Sequence, residues 1–415
     1  MKLYQVRYRL ILFLITSNVL FAEKDTPEVE QTAKKQELRS AIPFIDQEQR
    51  TTGLNIEKRK GLQIVAGDGT YSMNLRARIQ ARFTQDVVPD KHGDDASEFQ
   101  IRRARLSLRG NTFNPNWRYY IQLGFSNRDE ETSNPNSLRD AVISYAGFPN
   151  FQMSFGQMKI PFSRQRVNSS GALQLVDRSL VNGELNLDRD VGFSIASDNF
   201  LGLDHLIGYS VGIFGGDGRN SSSSKPGMLG MGRIFLSPFG KTNYLSESDF
   251  ERSSRPRMTI GTAFAYNANT KRARSTFGNV YNFARFDYQQ AVADIMFKWY
   301  GFSFTSEFLW RKADRNFLEN SSAQREYSRS AHGYFIQTSY LLPFMLEGVF
   351  RYGELRPLAG TDPSLGYGRE LGGGLAYYLD YHDLKLNLDY FELKGSFANS
   401  SGLAHEIRFQ IQMFI

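Results

Sequence analysis

The sequence predicts an all-β fold: a closed, antiparallel transmembrane β-barrel of about 16 strands. Three observations lead there. Short segments alternate between apolar and polar residues. The connections between them alternate between short and long. Beyond the first residues, no stretch approaches the ~20 apolar residues that a membrane helix needs.

The clearest strand runs from Met73 to Thr84. Met73, Leu75, Ala77, Ile79, Ala81 and Phe83 fall on one side, and Asn74, Arg76, Arg78, Gln80, Arg82 and Thr84 on the other, because successive side chains in a strand point to opposite faces. The next strand, Phe99 to Gly110, repeats the pattern. Ala104, Leu106 and Leu108 oppose Arg103, Arg105, Ser107 and Arg109. Two neighbouring strands thus stack arginines on one surface. In a soluble protein the apolar side would be core and the arginines solvated. In an outer-membrane barrel the apolar side meets lipid and the arginines line a water-filled lumen. Strict alternation sets Arg102 opposite Arg103, at either the membrane rim or the pore.

The start of the chain chooses between the two. Lys2, Arg7 and Arg9 precede an apolar run from Leu10 that ends at Ala22, and Glu23-Lys24-Asp25 follow. This is the layout of a secretory signal peptide, residues 1–22. An exported chain without spanning helices enters a membrane only as a closed barrel, since lipid leaves no partner for an open sheet edge. Residues 23–60 are polar and charged and read as a periplasmic extension, either a short helix or coiled coil or a linker. The barrel domain is residues 61–415.

Strands are expected at 71–84, 99–110, 117–126, 138–147, 151–158, 191–198, 206–214, 229–237, 258–267 and 290–299. Six more follow at 301–310, 332–341, 344–353, 368–379, 384–393 and 403–415. Most are near the ~9–11 residues of a tilted membrane strand. Short links at 111–116, 147–150, 300–301, 342–343 and 380–383 alternate with long ones at 85–98, 159–190, 215–228, 311–331 and 354–367. Barrels keep this parity because periplasmic turns are short and extracellular loops long. Residues 238–257 break it: a long link stands where a short one is due, either through a misplaced strand or a periplasmic insertion. Trp117, Tyr119, Trp299, Tyr300, Trp310, Tyr377, Tyr378, Tyr390 and Phe391 sit near strand ends, as interfacial girdles do. The chain ends on a strand with Ile407, Phe409, Ile411, Met413 and Ile415 on one face.

Composition excludes several functions. No cysteine is present, so there is no disulfide framework and no thiolate metal site. His92, His205, His332, His382 and His405 have no ligand spacing, and no cofactor or metal is expected. Gly215-Gly216-Asp217-Gly218 lacks the Gly-Lys-Ser/Thr of a phosphate loop. The net charge of +7 over 415 residues is mild, and no nucleic-acid partner is expected. What matters is where the arginines stand.

Certain residues resemble a known family, phosphate-selective porin O and P. They are Phe99-x-Ile101-Arg102-Arg103-Ala104-Arg105-Leu106, Gly110 and Trp117-x-Tyr119. Leu138-x-Asp140-Ala141, Phe155-Gly156-Gln157-x-Lys159-x-Pro161-Phe162 and Arg189-Asp190-x-Gly192 follow in order. The resemblance spans about Gly61 to the end. It implies a sixteen-stranded bacterial outer-membrane channel, usually a homotrimer, that passes small anions such as phosphate or polyphosphate. It also implies lumenal arginines and a long third loop that narrows the pore. Arg102, Arg103 and Arg105 match the motif; Arg76, Arg78 and Arg82 are assigned to the lumen by alternation. Residues 159–190 match the loop, with Lys159, Arg164, Arg166 and Arg178 as its cations.

An anion pathway suits arginine, which stays charged and offers a planar fork to phosphate oxygens. Spacing at i, i+2 sets guanidiniums ~6–7 Å apart, so an anion can step between them. The competing reading pairs these arginines with lumen carboxylates, Asp140, Glu307, Glu347, Glu370 and Asp389, as a rigid frame. A structural or adhesive barrel, or a barrel enzyme, is then the alternative function.

Overall fold

The computed structural model describes residues 53–57, 61–89, 95–127, 129, 136–221, 226–398 and 402–415. The expected signal peptide and nearly all of the expected extension lie outside the described residues. The part of residues 23–60 that is described is one strand, β1 (Gly53–Glu57). It pairs with β2 (Gly61–Val65), which pairs in turn with the start of β3 (Ser72–Val87).

From β3 the chain winds a closed antiparallel barrel of sixteen strands. They are β3, β4 (Ala96–Thr112), β5 (Asn114–Gly124), β6 (Leu138–Tyr145), β7 (Gln152–Lys159), β8 (Arg189–Ser197), β9 (Ile207–Phe214) and β10 (Leu229–Leu236). The second half is β11 (Arg257–Thr270), β12 (Phe286–Trp299), β13 (Phe302–Ala313), β16 (Ala331–Leu341), β17 (Leu346–Pro357), β18 (Gly368–Asp380), β19 (Leu384–Gly395) and β20 (Leu403–Phe414). A small hairpin, β14 (Phe317–Glu319) and β15 (Arg325–Tyr327), decorates one loop. β20 pairs with β3, so the wall has no open edge. All sixteen expected strands are present. The long link at 238–257 is a real insertion between β10 and β11, on the rim where the chain ends.

Period-two burial decides which side is which. Along β11, Ile260, Phe264 and Tyr266 are exposed outside while Ala263 and Ala265 are buried inside. On β3, Ile79 is 41% exposed while Arg78 and Arg82 are 5% and 6% exposed. A protein that exposes this much apolar side chain and buries this much charge is inside out relative to a soluble one. The turn between β12 and β13 is two residues, Tyr300 (φ 49) and Gly301 (φ 87). Both lie in the left-handed region that tight hairpins require. Trp117, Trp299, Tyr300 and Tyr377 are exposed near the chain-end rim. Tyr378 and Phe391 depart from the expected girdle. Alternation turns them inward, where they are buried at 2% and 1%.

A register test follows. Ile336, 39% exposed on the outer face of β16, should cost about 2–4 kcal/mol when replaced by Arg (Ile336→Arg). Urea unfolding of the barrel in lipid measures it. A cost near zero would take Ile336 off the lipid face.

Candidate functional site

The lumen is crossed by the third external loop, L3 (residues 160–188). Its two short helices, α1 (Arg164–Val167) and α2 (Leu180–Leu185), are capped by Ser163 and Ser179. Serine caps because its oxygen accepts from a backbone N–H left free in the first turn. Both hydroxyls then donate to the wall, Ser163 to Glu307 at 2.7 Å and Ser179 to Glu370 at 2.6 Å. Val181, Leu185 and Leu187 of L3 share one apolar cluster with Met231, Ala263, Val292, Leu309 and Leu355, which face inward from the strands. L3 is thus packed on one half of the barrel by hydrophobic burial and capped helices.

Its other side meets the arginines. Asp177 accepts Arg82 Nη1 at 2.7 Å and Arg103 Nη2 at 3.1 Å, with Arg102 Nη2 at 3.6 Å. Burial alone would push the Asp177 carboxyl up, but Arg102, Arg82 and Arg103 hold it well below the usual range. Arg78 donates to Ser170 Oγ at 3.0 Å. Arg105 pairs with Asp129 of the second external loop, which Arg139 also reaches at 3.0 Å. Burial opposes ionisation of Asp129 too, and Arg105 with Arg139 overcomes it. Asp188 lies between Arg166 and Arg189, and these outweigh its burial in the same way.

Arg102 corrects the strict alternation. Gln80 pairs with Arg103 and Ala81 with Ile101, so Arg102 is the extra residue of a β-bulge. The bulge lets Arg102 and Arg103 both reach the lumen. The device recurs on β6: Gln122 pairs with Asp140 and Leu123 with Leu138, leaving Arg139 as the extra residue.

Between L3 and the wall of β4–β8, under the fourth and fifth external loops, is a cavity of about 630 Å³. Arg102, Arg103, Arg105, Arg139, Lys159, Arg166, Arg178, Arg189, Arg219 and Arg272 line it, with Asp188 the one carboxylate. Ser170 and the segment from Phe277 to Val280 complete the lining. Lys159 Nζ donates to the carbonyls of Val167 at 2.9 Å and Asn168 at 3.0 Å. Arg178 donates to the carbonyls of Gln165 at 2.8 Å and Asn168 at 2.6 Å. Neither has a carboxylate partner among the described residues. Burial, with Arg166 beside it, pushes Arg178 down to about 9.

Six residues named from the sequence therefore meet at the cavity: Arg102, Arg103, Arg105, Lys159, Arg166 and Arg178. Arg78 and Arg82 face the lumen but hold L3 rather than line the cavity. Arg76 pairs with Asp383 at 3.0 Å and stacks on Phe414 near the chain end. Arg164 turns the other way: it is 1% exposed and donates to Thr305 and to the Tyr244 carbonyl. Arg139, Arg219 and Arg272 escaped the sequence reading. Arg139 is hidden by its bulge, and the other two stand in loops, where no periodicity marks a direction. The basic run Lys271-Arg272-x-Arg274 was the available signal.

The five wall carboxylates of the rival reading do not reach the arginines of β3 and β4, although Asp140 pairs with Arg189 of the cavity lining. Asp140 takes Arg189, Glu370 takes Arg351 and Asp389 takes Arg408. Glu307 receives Ser163 and Asn182, and Glu347 receives Ser339 and Gln174. None neutralises the arginines of β3 and β4.

The profile of phosphate-selective porin O and P matches residues 73–413. No curated protein sequence matches the chain. Among solved structures, an anion-selective porin from Comamonas acidovorans is similar, with TM-score 0.55 and 13% identity, covering 83% of this chain and 100% of that one. The outer membrane channel DcaP of Acinetobacter baumannii gives TM-score 0.54 and 13% identity over 83% and 97%. OprB of Pseudomonas putida gives 0.53 and 10% over 83% and 94%.

The bulge supplies a sharp test. Deleting Arg102 should leave the barrel folded with every side chain of β4 on its present face, because Ile101 and Arg103 already pair with adjacent residues of β3. Heat-modifiable mobility on gels reads the fold. If Arg102 were a regular strand residue, its deletion would invert one end of β4 and the barrel would be lost.

Proposed function

Since the chain belongs to the phosphate-selective porin O and P family and is a bacterial outer-membrane channel, we propose that it admits small anions through the cationic cavity, with phosphate or polyphosphate the leading candidates. The observation that carries this reading is an excess of cations: ten line the cavity, against Asp188 in the lining and Asp129, Asp140 and Asp177 paired behind it. Cation entry is opposed there and anion residence favoured. Arginine forks suit phosphate oxygens, and the family's description points the same way. Arg102, Arg103, Arg105, Lys159 and Arg166 contribute with Arg178, while Arg78 and Arg82 act through L3. L3 narrows the passage by filling the half of the lumen opposite the arginine wall.

We also propose a homotrimer joined through β6–β10. These strands are eight or nine residues long, against twelve to fourteen for most of β11–β20. Eight residues rise ~26 Å along the strand and ~20 Å after tilting, short of the ~25 Å apolar band of such barrels. A second copy covers that wall better than lipid does.

Reversal potentials in a salt gradient across a planar bilayer test the anion reading. Wild type should be anion-selective. Lys159→Gln with Arg178→Gln keeps donors for the carbonyls but removes two charges, and should shift the potential toward cations. Arg178→Lys keeps the charge and should preserve general anion preference while weakening block of chloride current by phosphate. Acidifying from about pH 7 to about pH 4 should leave selectivity nearly unchanged. Asp129, Asp177 and Asp188 are held well below the ordinary ~3.9, so they stay ionised throughout. Equal passage of cations and anions by wild type would refute the proposal.

A further inference from the structure

The insertion between β10 and β11, residues 237–256, is long where a porin turn is short. Its apex does not hang into the periplasm. Leu245, Glu247, Ser248 and Asp249 are 2%, 2%, 1% and 3% exposed. Lys298 on β12 donates to the carbonyls of Asn243 and Ser248, both at 3.1 Å, and the Gly301 N–H donates to Asp249 at 2.7 Å. Phe250 packs edge-on against Tyr378 at 4.8 Å and His382 at 4.9 Å. Polar and aromatic contacts on β12, β18 and the turn after β18 hold the segment inside the barrel mouth.

Held there, it meets L3 from below. The backbone N–H of Gln174, at the innermost bend of L3, donates to Glu247 Oε2 at 3.1 Å. Gln337 on β16 donates to the same oxygen at 3.2 Å and to Gln174 Oε1 at 2.7 Å. Ser248 and Gln174 both donate to Glu347, at 2.7 Å each. At the other end of L3, Arg164 donates to the Tyr244 carbonyl at 3.4 Å. Gln174 is 1% exposed, and a buried N–H must find an acceptor. The acceptor it has belongs to the insertion, not to the barrel wall.

We infer that residues 237–256 form a strut under L3, and that Glu247 is a positioning residue that sets the height of L3 and hence the width of the passage beside it. Without the strut, the bend at Gln174 loses its support from below. The wall bonds that remain are Gln174 to Ser339 and Glu347 at 2.6 and 2.7 Å, Gln337 to Gln174 Oε1 at 2.7 Å, Asn387 to the Gln174 carbonyl at 2.7 Å and the Val176 N–H to Asp389 at 3.1 Å; none of them accepts the Gln174 N–H. The bend then has a buried N–H without an acceptor and can shift, and the passage beside it widens.

Three variants test this: replacement of residues 241–254 by a short Gly-Asn-Gly linker, Glu247→Ala and Glu247→Gln. Heat-modifiable mobility first establishes that each barrel is folded. The linker variant and Glu247→Ala should show higher single-channel conductance and frequent open-channel transitions. Glu247→Gln should restore quiet, wild-type currents, because its amide oxygen still accepts from Gln174. The protein has no cysteine, so labelling is clean. Leu173→Cys, at a site 1% exposed, should resist a charged thiol reagent added from the periplasmic side in the intact chain, and react once the strut is removed. If the linker variant does not fold, the Glu247→Ala and Glu247→Gln pair still decides. Wild-type conductance and noise in folded Glu247→Ala would overturn the assignment, as would protection of the introduced thiol in the folded linker variant. These readouts do not depend on ion preference. A non-selective wild type would refute the anion proposal and leave the strut standing or falling on its own.

Discussion

Asp177 is the contact on which the lumen is organised. It is one carboxylate with three guanidiniums from β3 and β4 around it, and it is the point where L3 is tied to the arginine wall. A closed barrel leaves its inward polar residues facing a void too wide for them to satisfy one another. Water or protein must fill it. L3 fills half of it, burying Gln80, Gln410 and Gln412 along with the arginines it binds. The opposite half of the same loop is apolar and capped against Glu307 and Glu370. One segment therefore meets two chemically different walls, and its sequence divides accordingly into helices with Val181 and Leu185 and a bend with Asp177.

The strand count and the direction of the arginine face were legible in the sequence for one reason, whereas the inward third loop was only implied by the family resemblance. A barrel strand has lipid on one side and water on the other, so its side-chain period is enforced along its length. Bulges defeat that reading. Nothing in Ile101-Arg102-Arg103 or Leu138-Arg139-Asp140 announces an extra residue; the parity shift appears only when β4 is laid against β3 and β6 against β5. Each bulge adds one arginine to the lumen that alternation would send to lipid. Arg164 failed for another reason. It belongs to a loop, where the direction of a side chain is set by what the loop packs on. Tyr378 and Phe391 looked interfacial by position, yet they stand in the inward phase of their strands.

The insertion at 237–256 shows the limit from the other side. Its length was visible as a break in the short-long rhythm. Its direction was not, because its inward hold rests on single atoms: Lys298 on two carbonyls, Asp249 on the Gly301 N–H, Phe250 among rings. Such contacts leave no periodic trace. The same holds for the serine caps of L3. Ser163 and Ser179 are ordinary cap residues in sequence, and only the fold reveals that each hydroxyl also reaches a wall carboxylate.

The cavity's charge balance carries a final consequence. Like charges packed into about 630 Å³ repel, and a folded protein tolerates them only if something offsets the repulsion. Around Asp177, Asp129 and Asp188 the offset is covalent to the chain, yet each carboxylate is shared by two or three arginines. At Lys159 and Arg178 the direct hydrogen bonds go to carbonyls, which orient a cation without neutralising it. A rigid structural frame would have no use for this deficit; a paired carboxylate at each position would be more stable. The deficit is what a mobile anion can fill. On the proposed anion reading, an entering anion gains most beside Lys159 and Arg178, whose direct hydrogen bonds go to carbonyls and not to carboxylates. The shared carboxylates keep the neighbouring arginines from holding it too tightly, which is the balance a conducting site requires.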